Sequence, residues 1–127
     1  MKIEDLVLSI EQMQHLKELG IEVKDTALCI IPRESWHKCY VPTEVIFPQD
    51  EHIRIPTLTL QEILEMLPKE LYNKYMLVFF PDDAMCSCIQ YQTEHKDILH
   101  DEDFGDTPLE CAYRMLCWVA EHGYLNK

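Results

Sequence analysis

Apolar positions recur with helical spacing in three stretches of the chain, at residues 9–19, 59–67 and 107–123. Each stretch begins with a hydroxyl side chain that is followed three positions later by Glu or Gln, which is the pattern of a capping box. The pairs are Ser9 with Gln12, Thr59 with Glu62, and Thr107 with Glu110. Gly20 and Gly123 stand where the first and last of these helices should end. The pattern therefore predicts three helices.

The last of these stretches is apolar over most of its circumference. At about 100° per residue, one face collects the core stripe Leu109, Ala112, Tyr113, Leu116, Val119 and Ala120. Cys111, Met115 and Trp118 fall on the opposite or flanking side. A helix of this kind is usually buried on two sides, so either other parts of the chain cover the second face or another chain does. Cys111, Met115 and Trp118 are our candidate partner-binding residues, for self-association or for docking a protein partner.

Short apolar runs between the helices predict strands. The runs are residues 27–31, 36–41, 45–47, 75–80 and 85–91. The two runs before residue 42 flank a polar loop that starts at Pro32, which is typical of a hairpin. Residues 76–80 have no polar side chain, so we expect a central strand there. Residues 48–56 and 93–106 are predicted as loops.

A shift of 49 residues superimposes the first predicted hairpin on the second. It lays Leu28 on Leu77, Pro32 on Pro81 and Cys39 on Cys88, a sign of a degenerate repeat of helix and hairpin. We predict the α+β class, with one small antiparallel sheet of about four strands, three helices mainly on one face, and the order α-β-β-α-β-β-α. At 127 residues, we expect a single globular domain over residues 1–127.

The charge balance is strongly acidic, because 23 Asp and Glu side chains face 11 Lys and Arg and give a net charge of −12. Binding a nucleic acid through its phosphates requires a basic surface, so we expect no direct nucleic-acid partner. Residues 94–110 hold seven acids and one lysine. The predicted acidic surface consists of Asp82, Asp83, Glu94, Asp97, Asp101, Glu102, Asp103 and Asp106. One alternative function is therefore a decoy that imitates the charge of DNA and occupies a basic protein.

The N-terminus and the cysteines both bear on the compartment. Residues 1–5 lack the basic region and the long apolar run of a signal peptide. No stretch approaches the roughly 18 apolar residues of a membrane span. The six cysteines lie in apolar or strand-like surroundings, where we expect them to be reduced and mostly buried. These features predict a cytoplasmic protein without a membrane partner.

Few features of the sequence point to catalysis. With three glycines, the chain has no glycine-rich loop for phosphates or dinucleotides, and its serines lack the pattern of a nucleophile elbow. We therefore expect no cofactor and no catalytic residue. A weak metal hypothesis joins Cys86 and Cys88, on one face of a strand, with His95 and His100, although zinc sites usually space paired cysteines more widely. A metal-dependent or thiol enzyme is the least favoured alternative.

The capping segments of the helices occur in a definite combination: residues 8–13 with 19–21, residues 59–64 with 67–70, and residues 107–110 with 123–125. This combination resembles short uncharacterised proteins carried by bacterial prophages and other mobile elements. The resemblance implies a bacterial cytoplasmic or phage-related setting and brings no catalytic residue with it. The main prediction is a non-enzymatic protein–protein interaction module that self-associates or docks a partner through its C-terminal helix.

Overall fold

The computed structural model describes residues 6–23, 26–32, 38–45, 54–79, 87–103 and 107–125. These residues form three α-helices and two antiparallel sheets, which confirms the α+β class. The chain divides into two compact units, Met1–Glu62 and Ile63–Lys127, each with its own sheet. The single domain over residues 1–127 stays a prediction. Within the described residues, no helix combines the length and the apolar character that crossing a membrane requires.

The first unit contains a three-stranded sheet and one complete helix. Its elements are helix α1 (Ile10–Glu18), strands β1 (Leu28–Pro32) and β2 (Lys38–Pro42), a short 3₁₀ helix (Thr43–Val45) and strand β3 (Ile55–Thr57). The strand order is β2-β1-β3. Strand β1 is antiparallel to both neighbours, so that Ile30 lies opposite Tyr40 on one side and Ile55 on the other. The first predicted hairpin is therefore confirmed.

Helix α1 forms as predicted because hydrogen bonds close both of its ends. Ser9 Oγ accepts from Gln12 N at 3.1 Å, and Gln12 Oε1 accepts from Ser9 N at 2.9 Å. Gly20 has a φ of 90°, which lets Ile21 N donate to Leu16 O at 3.0 Å. This is a Schellman motif, in which a left-handed residue satisfies the last carbonyls of a helix. The helix packs against β3 in the first unit.

The second unit consists of a four-stranded sheet and the last helix. Its elements are β4 (Glu70–Leu71), β5 (Tyr75–Phe79), β6 (Ser87–Gln92), β7 (Ile98–Asp103) and α3 (Pro108–Glu121), preceded along the chain by α2 (Leu60–Met66). The strand order is β4-β5-β6-β7, so β5 is an interior strand, as its apolar composition predicts. Helix α3 packs on β6 and β7. Ile89, Met115 and Val119 are fully buried in this unit.

Helix α3 begins and ends where its sequence predicts, and the structure shows one of the two hydrogen bonds of the predicted capping box. Thr107 Oγ1 accepts from the backbone N–H three residues later at 3.1 Å. Pro108 lies in the first turn, where the helix needs no backbone donor. Gly123 has a φ of 73°, and Tyr124 N donates to Val119 O at 2.9 Å. This second Schellman motif turns the chain back toward the helix and so positions Tyr124.

The structure corrects the predicted sheet and two predicted loops. Among the described residues, seven strands in two sheets replace the predicted single sheet of about four strands. Residues 93–106 contain β7 because Thr93 closes a turn before this strand. Thr93 Oγ1 accepts from Asp97 N at 3.0 Å, and Thr93 N donates to Asp97 O at 2.9 Å. Residues 48–56 include part of β3. Val45 belongs to the 3₁₀ helix instead of a strand, and residues 46–47 lie outside the described part of the chain.

The two sheets share one hairpin register. Ile30 pairs with Tyr40 in the first sheet, and Phe79 pairs with Ile89 in the second, so both partners are displaced by the same 49 residues. The third strand of each set also pairs with the first strand of the hairpin, although β3 follows its hairpin and β4 precedes its own. The common register supports the predicted repeat, with a different chain connection in each copy.

Candidate functional site

The structure separates the three predicted partner-binding residues of α3. Cys111 and Met115 are fully buried, and Cys111 Sγ lies 3.2 Å from the carbonyl oxygen of Glu102 in β7. Neither side chain is accessible to a partner in this structure. Trp118 is only half-buried. The second unit itself therefore covers much of the apolar second face of α3, and the accessible part lies around Trp118.

Side chains from two strands hold Trp118 in place. The His100 ring in β7 stacks on the indole, with centroids 4.2 Å apart and planes 4° apart. The Tyr91 ring in β6 lies 6.3 Å from the indole. Tyr91 is fully buried, and its hydroxyl donates to Pro68 O at 2.7 Å. Burial raises the pKa of Tyr91, so it stays a neutral hydrogen-bond donor under ordinary conditions.

Three further side chains extend this cluster from Trp118 to the surface of the second unit. Tyr72, Trp118, His122 and Tyr124 together are called the aromatic surface below. The Tyr124 ring lies 5.3 Å from Trp118 and 5.5 Å from Tyr72, and the Tyr72 hydroxyl donates to the Tyr124 hydroxyl at 2.8 Å. The His122 ring lies 4.8 Å from the indole. Tyr72 is 64% exposed and His122 is exposed as well, so a partner can reach the cluster.

The turn between β4 and β5 holds Tyr72 in a strained backbone conformation. Tyr72 and Asn73 have φ values of 56° and 59°, in the left-handed region that bulky L residues rarely adopt. For a residue such as Tyr this conformation costs roughly 1–2 kcal/mol. An exposed aromatic side chain does not repay that cost through core packing, and backbone strain of this kind is concentrated at functional sites.

A polar network lies beside Trp118. Glu102 Oε2 is 2.7 Å from His100 Nε2, and Glu102 Oε1 accepts from Arg114 Nε at 3.1 Å. Arg114 Nη1 is also 3.7 Å from the carboxylate of Glu110. The Glu102 side chain is 19% exposed, so its charge is partly desolvated and depends on these partners. The network fixes the His100 ring against the indole of Trp118.

Sequence reasoning missed Tyr72 and His122 as members of the site. The glycine at position 123 predicts that Tyr124 or Leu125 folds back over the last turn of α3, but nothing in the sequence links Tyr124 to Tyr72, which lies 52 positions earlier. One local signal exists, namely that Tyr72 and Asn73 follow a predicted helix in a short polar segment. An aromatic residue in a turn has little access to a core, and it is therefore a candidate for contact with another molecule.

The acidic surface lies only partly within the described residues. Glu94, Asp97 and Asp101 are exposed on the hairpin of β6 and β7. Glu102 is instead engaged in the polar network. Asp82, Asp83, Asp106 and the side chain of Asp103 lie outside the described residues. The structure therefore shows three exposed acids on one hairpin.

The structure shows two of the four residues of the metal hypothesis. His95 lies at the turn between β6 and β7 with its side chain 81% exposed, whereas His100 lies under Trp118. Cys86 and the side chain of Cys88 lie outside the described residues. In the part of the chain that the structure describes, no three His, Cys, Asp or Glu side chains are close enough to hold a metal ion.

The two free cysteines that the structure describes are Cys29 and Cys117. Cys117 shares a hydrogen bond with Tyr113, and burial raises the pKa of both side chains. Cys29 is buried, with Sγ 3.2 Å from Thr43 Oγ1. A nucleophilic cysteine needs a lowered pKa so that the thiolate is populated. Cys117 therefore has the opposite of the environment that a thiol enzyme requires.

Cys111 corrects the prediction that the cysteines are reduced. It is disulfide-bonded. Disulfides persist mainly in oxidising compartments. The cytoplasmic localisation therefore stays a prediction.

No protein-family model, curated protein or solved structure matches the chain. The resemblance to prophage proteins stays a prediction as well.

Proposed function

We propose that the protein is a non-enzymatic interaction module that self-associates through the aromatic surface of its second unit. The exposed Tyr72 is the observation that supports this proposal. Its hydroxyl donates a hydrogen bond to the Tyr124 hydroxyl at 2.8 Å, and the Tyr124 ring in turn packs beside Trp118. Tyr and Trp are enriched among the residues that dominate binding energy at interfaces. Their rings provide a large contact area while losing little conformational freedom.

The aromatic surface is already ordered before any partner arrives. Tyr72 is held by a strained turn, Tyr124 by a Schellman motif and Trp118 by the stacked His100 ring. Ordering flexible side chains on binding costs roughly 0.5–1.5 kcal/mol for each one. Because the rings of this surface are fixed in the free chain, most of that cost does not fall on association.

The charges beside the aromatic surface suit contact between two copies. Lys69 and Lys74, together with Glu70 and Glu121, are exposed near it in sequence. In a twofold interface, a residue away from the axis contacts a different residue of the other copy, and the contact occurs twice, so lysines of one chain can meet glutamates of the other. The net charge of −12 opposes such contact weakly, because charges farther apart than about 8 Å are screened at physiological salt.

Sedimentation velocity and native mass spectrometry over a range of concentrations test this proposal. We expect the native chain to form dimers. The variant Tyr72→Asn removes the exposed ring while keeping a residue that readily adopts the left-handed conformation. Loss of a central aromatic residue typically costs 2 kcal/mol or more, so the dissociation constant should rise at least about tenfold.

The matched control is Ile98→Asn, which removes another exposed apolar side chain of the same unit, 52% exposed and outside the aromatic surface. It should leave the dimer intact. A native chain that stays monomeric at the highest concentration contradicts self-association. A dimer that Ile98→Asn dissociates and Tyr72→Asn does not would move the interface to the strand β7.

The second candidate function is the acidic decoy, and the three exposed acids of one hairpin favour it. Replacing Glu94, Asp97 and Asp101 with Lys should weaken binding to immobilised basic proteins, with an effect that shrinks as salt is added. The control replaces Glu11, Glu18 and Glu65 with Lys, because these acids are also exposed and the change in net charge is the same. If the two triple variants lost the same amount of binding to the basic proteins, the net charge of the chain would account for the binding and the position of the acids would not.

A further inference from the structure

A groove in the first unit lies outside the proposed interface. It is bounded by α1, residues 21–23 and β3, and its volume is about 370 Å³. Small-ligand sites typically occupy roughly 300–1,000 Å³. Its apolar lining consists of Ile10, Met13, Ile21, Val23, Ile55 and Pro56. Met13 and Ile21 form a buried floor, whereas the other four side chains are half-buried.

The charged part of the lining has a positive excess. Lys17 and Arg54 supply two positive charges and Glu22 one negative charge, in a chain whose net charge is −12. Arg54 and Glu22 each have an interaction partner within the chain. Among the described residues, no acidic side chain forms a salt bridge with Lys17. Lys17 is therefore a cation of the lining that a ligand can engage.

The backbone at the groove disfavours an extended peptide as its occupant. Strand β3 is an edge strand, where a peptide would add as a further strand. Its central residue Pro56 has no N–H and lies opposite Cys29, so an incoming strand would meet no donor there. Further along, Leu8 N already donates to Leu58 O at 3.0 Å. A small molecule fits this edge better than a peptide does.

We propose that the groove binds a small amphipathic carboxylate of the medium-chain fatty acid class. The apolar chain lies on Met13 and Ile21, and the carboxylate accepts a hydrogen bond from Lys17 Nζ. Hydrogen bonds between ionised groups are about twice as strong as neutral ones, so this contact selects the acid over an uncharged molecule of the same length. A lysine without an acidic partner among the described residues, beside an apolar floor, matches a ligand with an anionic head group and an apolar tail.

Isothermal titration calorimetry of the full chain tests the site with decanoate, decanol and decylamine, each below the concentration at which it forms micelles or a separate phase. The three probes share one apolar tail and differ in the charge of the head group. We expect decanoate to bind about tenfold more tightly than decanol, and decylamine to bind most weakly. Lys17→Gln should remove the advantage of decanoate while leaving decanol unchanged. Lys96→Gln makes the same change of charge on an exposed turn of the second unit. It should change neither the affinity for decanoate nor the affinity for decanol.

A second variant keeps the test independent of the lysine. Val23→Trp places a large ring in the groove at a half-buried position, and it should weaken decanoate and decanol alike, with circular dichroism confirming that the chain folds. Equal affinity for decanoate and decanol overturns the proposal. The proposal is also overturned if decanoate binds unchanged to both Lys17→Gln and Val23→Trp. It is overturned as well if the native chain does not bind decanoate. Self-association through the aromatic surface does not depend on any of these results.

Discussion

At the scale of single residues, Glu102 supports Trp118 indirectly, because one carboxylate contacts both Arg114 and the His100 ring that stacks on the indole. Glu102→Gln keeps the shape of the side chain and removes its charge. We expect it to lower the free energy of unfolding by about 1.5–3 kcal/mol, the usual range for a hydrogen bond to a charged group. Urea denaturation followed by Trp fluorescence would measure the change.

The control for this prediction is Glu94→Gln on the same hairpin, where the side chain is 87% exposed. Substitutions at such exposed positions usually change the free energy of unfolding by less than about 0.5 kcal/mol. If both variants lost the same small amount, the contacts of Glu102 would contribute nothing beyond an ordinary surface charge.

Tyr91 gives a prediction about alkaline pH. Burial raises its pKa in the folded chain above the ordinary value of about 10. Above that pH the unfolded chain binds fewer protons than the folded chain, so the free energy of unfolding falls as pH rises. We expect Tyr91→Phe to reduce this decrease in the free energy of unfolding. Part of the decrease should remain, because burial also raises the pKa values of Tyr113 and Cys117.

Urea denaturation of the native chain and of Tyr91→Phe, at neutral pH and at about pH 11, measures this dependence. At neutral pH the variant should lose about 1 kcal/mol, because the hydroxyl no longer donates to Pro68 O. If the free energy of unfolding fell by the same amount with pH in the two proteins, Tyr91 would not be a source of the pH dependence.

At the scale of elements, the helix ends are the features most directly encoded in the chain. Gly123 has a φ of 73°, and a Cβ added there would meet no atom within 4 Å. Gly123→Ala therefore tests backbone conformation without a steric clash, and we expect it to cost about 1–2 kcal/mol. Thermal denaturation would measure this cost. Glu121→Ala, an exposed position in the last turn of α3, should cost little, and equal losses would argue against the Schellman motif.

At the scale of the whole molecule, the disulfide at Cys111 sets the number of free thiols. One disulfide uses two of the six cysteines, so at most four remain. Alkylation of the unfolded, unreduced protein followed by mass spectrometry should therefore add at most four labels. Prior reduction should allow six. Six labels without reduction would show that the cysteines are reduced, as the sequence predicts.

The sequence by itself determined the three helices and their caps, because a capping box and a terminal glycine act over a few neighbouring residues. It also determined the first hairpin and the interior strand β5, where apolar runs are bounded by polar segments. It failed at β7, since Asp101, Glu102 and Asp103 have low strand propensity and only pairing with β6 makes them a strand.

Only the tertiary structure decided which side of α3 is accessible. The helical pattern places Cys111, Met115 and Trp118 together, yet packing on β6 and β7 buries the first two and leaves Trp118 at the surface. Packing likewise decided that His100 stacks on Trp118 and that Tyr72 forms a hydrogen bond with Tyr124. Periodicity shows which residues share a face of one element, whereas contacts between distant segments depend on how the whole sheet and helix fit together in space.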